Sequence, residues 1–82
     1  MYKVDFSKTA ESQFLKLPKE YQERLLNVID RIKIRPYHFV KRKEGTPYFI
    51  LRFGDYRAIL NINDKDSKIF VLETGHRKNI YD

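Results

Sequence analysis

The stretch YFILRFGDYRAIL, residues 48–60, decides the fold. Two runs rich in aromatic and β-branched residues flank Gly54-Asp55, and a glycine supplies the positive φ that a two-residue hairpin loop requires. The spacing predicts antiparallel strands over Tyr48–Phe53 and Tyr56–Ile62. A polar turn, Asn63–Lys68, leads to a third β-rich run, Ile69–Thr74, after which Gly75 opens a short polar tail to Asp82. Consecutive hairpins favour an antiparallel sheet with a single buried face.

Upstream lies a basic loop, RPYHFVKRKEGTP over 35–47, in which no hydrophobic period survives. Before it, Tyr21, Leu25, Val28, Ile29 and Ile32 recur at helical spacing and form one apolar stripe. Ala10, Phe14 and Leu17 form a shorter stripe that stops at Pro18. Proline cannot sit inside a helix and fits the first turn of the next one. Ser7 is the expected N-cap, and Tyr2, Val4 and Phe6 alternate with Lys3 and Asp5 as in a half-buried strand. The expected class is α+β. An N-terminal strand, a two-helix hairpin and a three-stranded antiparallel meander form one sheet, covered on one face by the helices.

Composition narrows the functional classes. Eighty-two residues make a single domain, 1–82, and 41% hydrophobic with 15% aromatic residues argues for a packed interior rather than disorder. A chain this short buries only roughly 60–65% of the surface its unfolded form exposes, so the core is marginal. There is no cysteine, hence no disulfide and no thiolate metal site, which suits a reducing cytoplasm. No apolar run reaches membrane-spanning length, and MYKVDFSK lacks the apolar core of a signal peptide. The two histidines, His38 and His76, lie near no carboxylate at ligand spacing, so no metal and no cofactor are expected. Nucleophile-elbow, cysteine-nucleophile and phosphate-loop motifs are absent too.

The formal charge is +6, and its placement says more than its size. Arg31, Lys33, Arg35, Lys41, Arg42, Lys43, Arg52 and Arg57 share the window 31–57 with only Glu44 and Asp55, while the rest of the chain is neutral. Such a block suits phosphate neutralisation, an acidic protein partner, or a merely solvated face. Arg52 and Arg57 flank the hairpin loop, close enough to share one phosphate or to pair with Asp55 and Glu44. His76, Arg77 and Lys78 follow the last strand, with Tyr81 beyond. If that strand lies beside the hairpin, these groups line one sheet face with Lys41–Lys43 above it. The residues alone stop at a basic α+β domain, with nucleic acid one candidate partner beside an acidic protein or a solvated face.

The run YFILRFGDYRAIL followed by VLETGHRKNIY (71–81) resembles the RelE/ParE toxin superfamily of toxin–antitoxin systems. The resemblance rests on Arg52, Gly54, Asp55, Tyr56, Arg57, Gly75, His76, Arg77 and Tyr81, and on the order of elements along nearly the whole chain. It implies a ribosome-dependent endoribonuclease that cuts messenger RNA in the A site without a metal. A ribose 2′-OH would attack the adjacent phosphate, leaving a 2′,3′-cyclic phosphate and a 5′-OH. By motif position Arg57 and Arg77 would hold the scissile phosphate, and Tyr81 would stack on a base or help move a proton. Arg52, Lys41, Arg42, Lys43 and Lys78 would bind flanking RNA.

RelE members carry lysines on the strand corresponding to 48–53, where Phe49 and Leu51 stand here and only Arg52 is basic. Arginine is a poor proton-transfer group because its pKa exceeds 12. His76 is therefore the candidate for that task. The resemblance further implies an acidic, RelB-like antitoxin in a hetero-oligomer, with ribosome and messenger RNA as targets in the cytoplasm. The alternatives are a ParE-like inhibitor of DNA gyrase without nuclease activity, and an inactive antitoxin-binding relative.

Overall fold

Helix and strand positions in the computed structural model, which describes residues 1–80, follow the hydrophobic periods closely. The chain runs β1 (Lys3–Phe6), α1 (Lys8–Leu15), α2 (Lys19–Ile32), a 3-10 turn (Pro36–His38), β2 (Val40–Arg42), β3 (Phe49–Phe53), β4 (Tyr56–Asn63) and β5 (Lys68–His76). Ser7 caps α1 by accepting the Ala10 N–H at 2.9 Å. Pro18 occupies the N-cap of α2 rather than its first turn, and its carbonyl accepts from Tyr21 and Gln22.

The strands form one sheet in the order β1-β5-β4-β3-β2. The meander β3-β4-β5 is antiparallel as the hairpin signals require, whereas β1 joins β5 in parallel at the edge. Two expectations need correction. The basic segment 35–47 is not all loop, because it supplies the 3-10 turn and the edge strand β2, which pairs antiparallel with β3. Such a short edge strand shows no readable alternation. The last strand also runs past Thr74 through Gly75 to His76, since Gly75 still pairs with Arg57 and His76 with Tyr56.

The main core lies between the helices and one sheet face. Leu25, Ile29 and Ile32 of α2, with Ala10 and Leu17, meet Leu51, Phe53, Ala58, Leu60, Ile69 and Val71 of the sheet. Each fully buried aliphatic side chain contributes about 1.5–3 kcal/mol relative to exposure. On the other face a smaller cluster forms from Ile50, Ile59 and Ile80, flanked by Tyr48 and Leu72. A register shift between Ile59 and Leu60 leaves Leu72 as the extra residue in β5. The Leu72 carbonyl accepts the Ser7 hydroxyl at 2.8 Å, so the bulge is tied to the start of α1. Among the described residues no helix is long and apolar enough to cross a membrane.

Candidate nucleic-acid interface

Strand alternation sorts the basic residues onto two faces. Leu51 and Phe53 point to the helices, so Tyr48, Ile50 and Arg52 belong to the face that the helices leave open. Arg52 sits directly opposite Arg57, across the loop Gly54-Asp55. Gly54 has φ +71°, so the positive φ expected for this loop falls at its first position. One terminal nitrogen of Arg57 donates to the carbonyls of Gly54 at 3.2 Å and Tyr56 at 3.0 Å, which ties the guanidinium to the loop. The pairing places two guanidinium-bearing residues side by side on one face, a residue type whose planar fork suits phosphate oxygens.

The C-terminal motif joins the loop through the backbone. The Arg77 N–H donates to the Asp55 carbonyl at 2.9 Å, which continues the β4–β5 ladder past His76. Arg77 is exposed, level with Asp55, and ladder parity puts it on the side of Arg57 and Gly75. Lys78 follows in the exposed turn. Lys41 pairs with Ile50, and the Lys43 N–H donates to the Tyr48 carbonyl at 2.9 Å, so both lysines share the open face. Glu73, opposite Ile59, brings a carboxylate to the same face.

Two expected site residues point elsewhere. Arg42 pairs with Phe49 and lies over its ring, with 6.0 Å to the centroid, on the helix side. His76 pairs with Tyr56, and the two rings meet edge to face at 5.2 Å, also on the helix side. Its Nδ1 accepts the Lys78 N–H at 3.1 Å, so in the neutral ring the proton sits on Nε2. His76 therefore braces the turn that carries Arg77 from the far side of the sheet. Tyr81 lies outside the described residues. Phe49 and Leu51 are core, and the strand positions that face the arginines are Tyr48 and Ile50. Counting back in twos from Arg52 would have found them.

A second constellation had no sequence signal. Tyr2 and Tyr37 both donate their hydroxyls to Asp64, each at 2.7 Å, at the end of the sheet remote from Gly54. The two phenols hold the Asp64 carboxyl below the ordinary carboxylate range. Burial, and then the bond to Asp64, push Tyr37 up to about 12. Among the described residues no three histidine, cysteine or acidic side chains converge as a metal site would require.

The model of the family described as "ParE toxin of type II toxin-antitoxin system, parDE" matches residues 4–81. The chain belongs to the RelE/ParE toxin superfamily. It is a toxin of the type II toxin–antitoxin class. Among solved structures, the RelE–RelB complex of Pyrococcus horikoshii is similar to this toxin at 31% identity and TM-score 0.82, covering 96% of this chain and 98% of that one. The RelBE2 toxin–antitoxin complex of Mycobacterium tuberculosis matches at 28% identity and TM-score 0.82, covering 93% and 98%. The intact Escherichia coli RelBE complex shares the fold, at 23% identity and TM-score 0.79 over 93% and 96%. No curated protein matches the sequence.

Proposed function

We propose that this toxin is a ribosome-dependent endoribonuclease that cuts messenger RNA in the A site by attack of a ribose 2′-OH. The observation that carries the reading is the Arg52–Arg57 pair on the open face, with Arg77 bonded to the same hairpin loop. The 2′-OH gives up its proton, its oxygen bonds to phosphorus, and the 5′-oxygen leaves and takes up a proton. The phosphorane formed on the way carries extra negative charge. Fixed guanidinium groups stabilise that charge without reorganising, and Arg57 is already held by two loop carbonyls.

Arg77 completes the phosphate grip from the neighbouring turn, and Tyr81 would stack beyond it. Lys41 of β2 and Lys43 just beyond it lie across the ladder from Ile50 and Tyr48, so this segment supplies the ammonium groups that β3 lacks. They and Lys78 hold flanking phosphates, while Arg42 reaches the RNA only around the strand edge. His76 acts through the turn it braces rather than by contact with the phosphate.

The solved relatives of M. tuberculosis and P. horikoshii are complexes with a RelB-type partner. We infer that an acidic antitoxin covers this protein likewise in the cytoplasm, satisfying its +6 charge.

The deciding experiment adds purified toxin to translating ribosomes carrying a defined message and maps the RNA ends. Cleavage within the A-site codon is expected, with Arg77→Ala slower by at least about 100-fold, the scale of losing one transition-state charge contact. An intact message with unaffected translation refutes the ribonuclease. The family model carries the ParE name, so stalled gyrase supercoiling in that case would establish the second reading.

A further inference from the structure

We propose that Tyr48 is a nucleobase-stacking platform, a subsite for an unpaired RNA base next to the arginine phosphate site. This rests on the reading of the open face as an RNA-binding surface. Three observations carry it. First, Phe49 and Phe53 are committed to the helix-side core, whereas Tyr48 stands on the same face as Arg52, Arg57, Lys41 and Lys43. Second, Tyr48 is half-buried and its ring packs on the Ile50–Ile59–Ile80 cluster. That packing restrains the side chain of a residue that is only partly buried, so little side-chain freedom is lost when a base arrives.

Third, the neighbours fit a nucleotide strand. Lys43 adjoins Tyr48 across the ladder, and Lys41 is one pair further along, opposite Ile50. Arg52 lies four residues from Tyr48 along the same strand, roughly 13 Å away at 3.3 Å per residue. Cations beside an aromatic plane are the arrangement that binds single-stranded nucleic acid: the cations hold the backbone and the ring takes a base. Every base has a π-face, so the platform selects an unpaired nucleotide rather than a sequence. The hydroxyl has no part in this role, which separates stacking from proton transfer.

The chain has no tryptophan, so Tyr48→Trp places a single indole reporter in the subsite. Leu15→Trp, on the outer surface of α1, is the control. Each is titrated with a short single-stranded RNA and with an abasic oligomer of equal length, which keeps the phosphates. RNA should quench the subsite indole but not the control, and the abasic oligomer should bind without quenching. Tyr48→Ala should weaken RNA binding about 5- to 100-fold and leave the abasic oligomer unaffected, while Tyr48→Phe binds as wild type. RNA affinity unchanged in Tyr48→Ala, a subsite indole unquenched at saturation, or no RNA binding at all would each overturn the proposal. If Tyr48→Ala fails to fold, the titration of Tyr48→Trp still decides. Quenching by RNA alongside an uncut ribosomal message would refute the ribonuclease and leave the platform standing.

Discussion

Gly54→Ala is the substitution for which the structure gives the most definite outcome. Gly54 has φ +71°, and a Cβ built there would lie 2.6 Å from Tyr21 Cε1 and 2.9 Å from an Arg24 terminal nitrogen. Gly45 also has positive φ, at +77°, but its Cβ would meet nothing within 4 Å. The left-handed conformation costs an L-residue about 1–2 kcal/mol, and alanine recovers about 0.4–1 kcal/mol by stiffening the unfolded chain. Gly45→Ala should therefore destabilise by about 1 kcal/mol. At Gly54 the Arg24 end can swing aside. The Tyr21 ring cannot, because it packs on Tyr56 with centroids 4.4 Å apart. Overpacking of this kind adds roughly 1–3 kcal/mol.

For a domain of this size each kcal/mol moves Tm by about 4–8 °C. Thermal unfolding followed by far-UV circular dichroism should then place Gly54→Ala at least about 4 °C below Gly45→Ala. Adding Tyr21→Leu to Gly54→Ala should restore part of the loss, as a favourable coupling in a double-mutant cycle. Equal melting temperatures for the two glycine variants would refute the reasoning, and so would a cycle with no coupling. The proposed RNA cleavage should suffer beyond stability, because the Gly54 carbonyl accepts from the Arg57 side chain and the Asp55 carbonyl from the Arg77 N–H. A shift of about 1 Å in such groups can cost 100-fold in rate.

Ser7→Ala removes both the α1 cap and the bond to the Leu72 carbonyl, and should lower stability by about 1–2 kcal/mol in urea unfolding at constant m-value. Asp64→Asn tests the two-phenol clamp by its pH profile. The folded Asp64 pKa lies below its ordinary 3.8, so its contribution is present above that value and lost as pH falls through the folded pKa. Tyr37 is raised from 10.0 to about 12, so its contribution is present below pH 10 and lost as pH rises through 12. Both limbs of the urea-midpoint profile should flatten in Asp64→Asn, and unchanged limbs would mean that the clamp carries no stability.

The legible parts of the fold were those fixed by local periodicity. The α2 stripe of Leu25, Ile29 and Ile32 is buried as its spacing demands, and Gly54 turns the hairpin with positive φ. What escaped was set by distant partners. The three residues Val40–Arg42 become a strand only because β3 offers them an edge. The last strand outruns its apolar residues because β4 pairs with it as far as Tyr56↔His76. The site was half legible for the same reason. Hairpin geometry sets Arg52 opposite Arg57 and bonds the Arg77 backbone to the same loop, while the sides taken by Arg42 and His76 depend on a register that composition does not encode.

On the proposed reading, the division of the sheet into two faces would let one surface meet both an RNA target and a silencing partner. The helix side buries the aliphatic core, so the opposing arginines and the β2 lysines are left to a face with only a small isoleucine cluster. Arg52 opposite Arg57 concentrates positive charge on that face. A ligand that brings negative charge to that face and binds only the folded chain stabilises it. At a thousandfold excess over its Kd such a ligand adds about 4 kcal/mol, a large share of the roughly 5–15 kcal/mol typical of a domain. On the proposed reading a phosphodiester would meet that charge transiently, whereas an acidic chain that also covers apolar surface would stay. On that reading the same cations would hold RNA, and an acidic antitoxin that covers them would stabilise the folded chain.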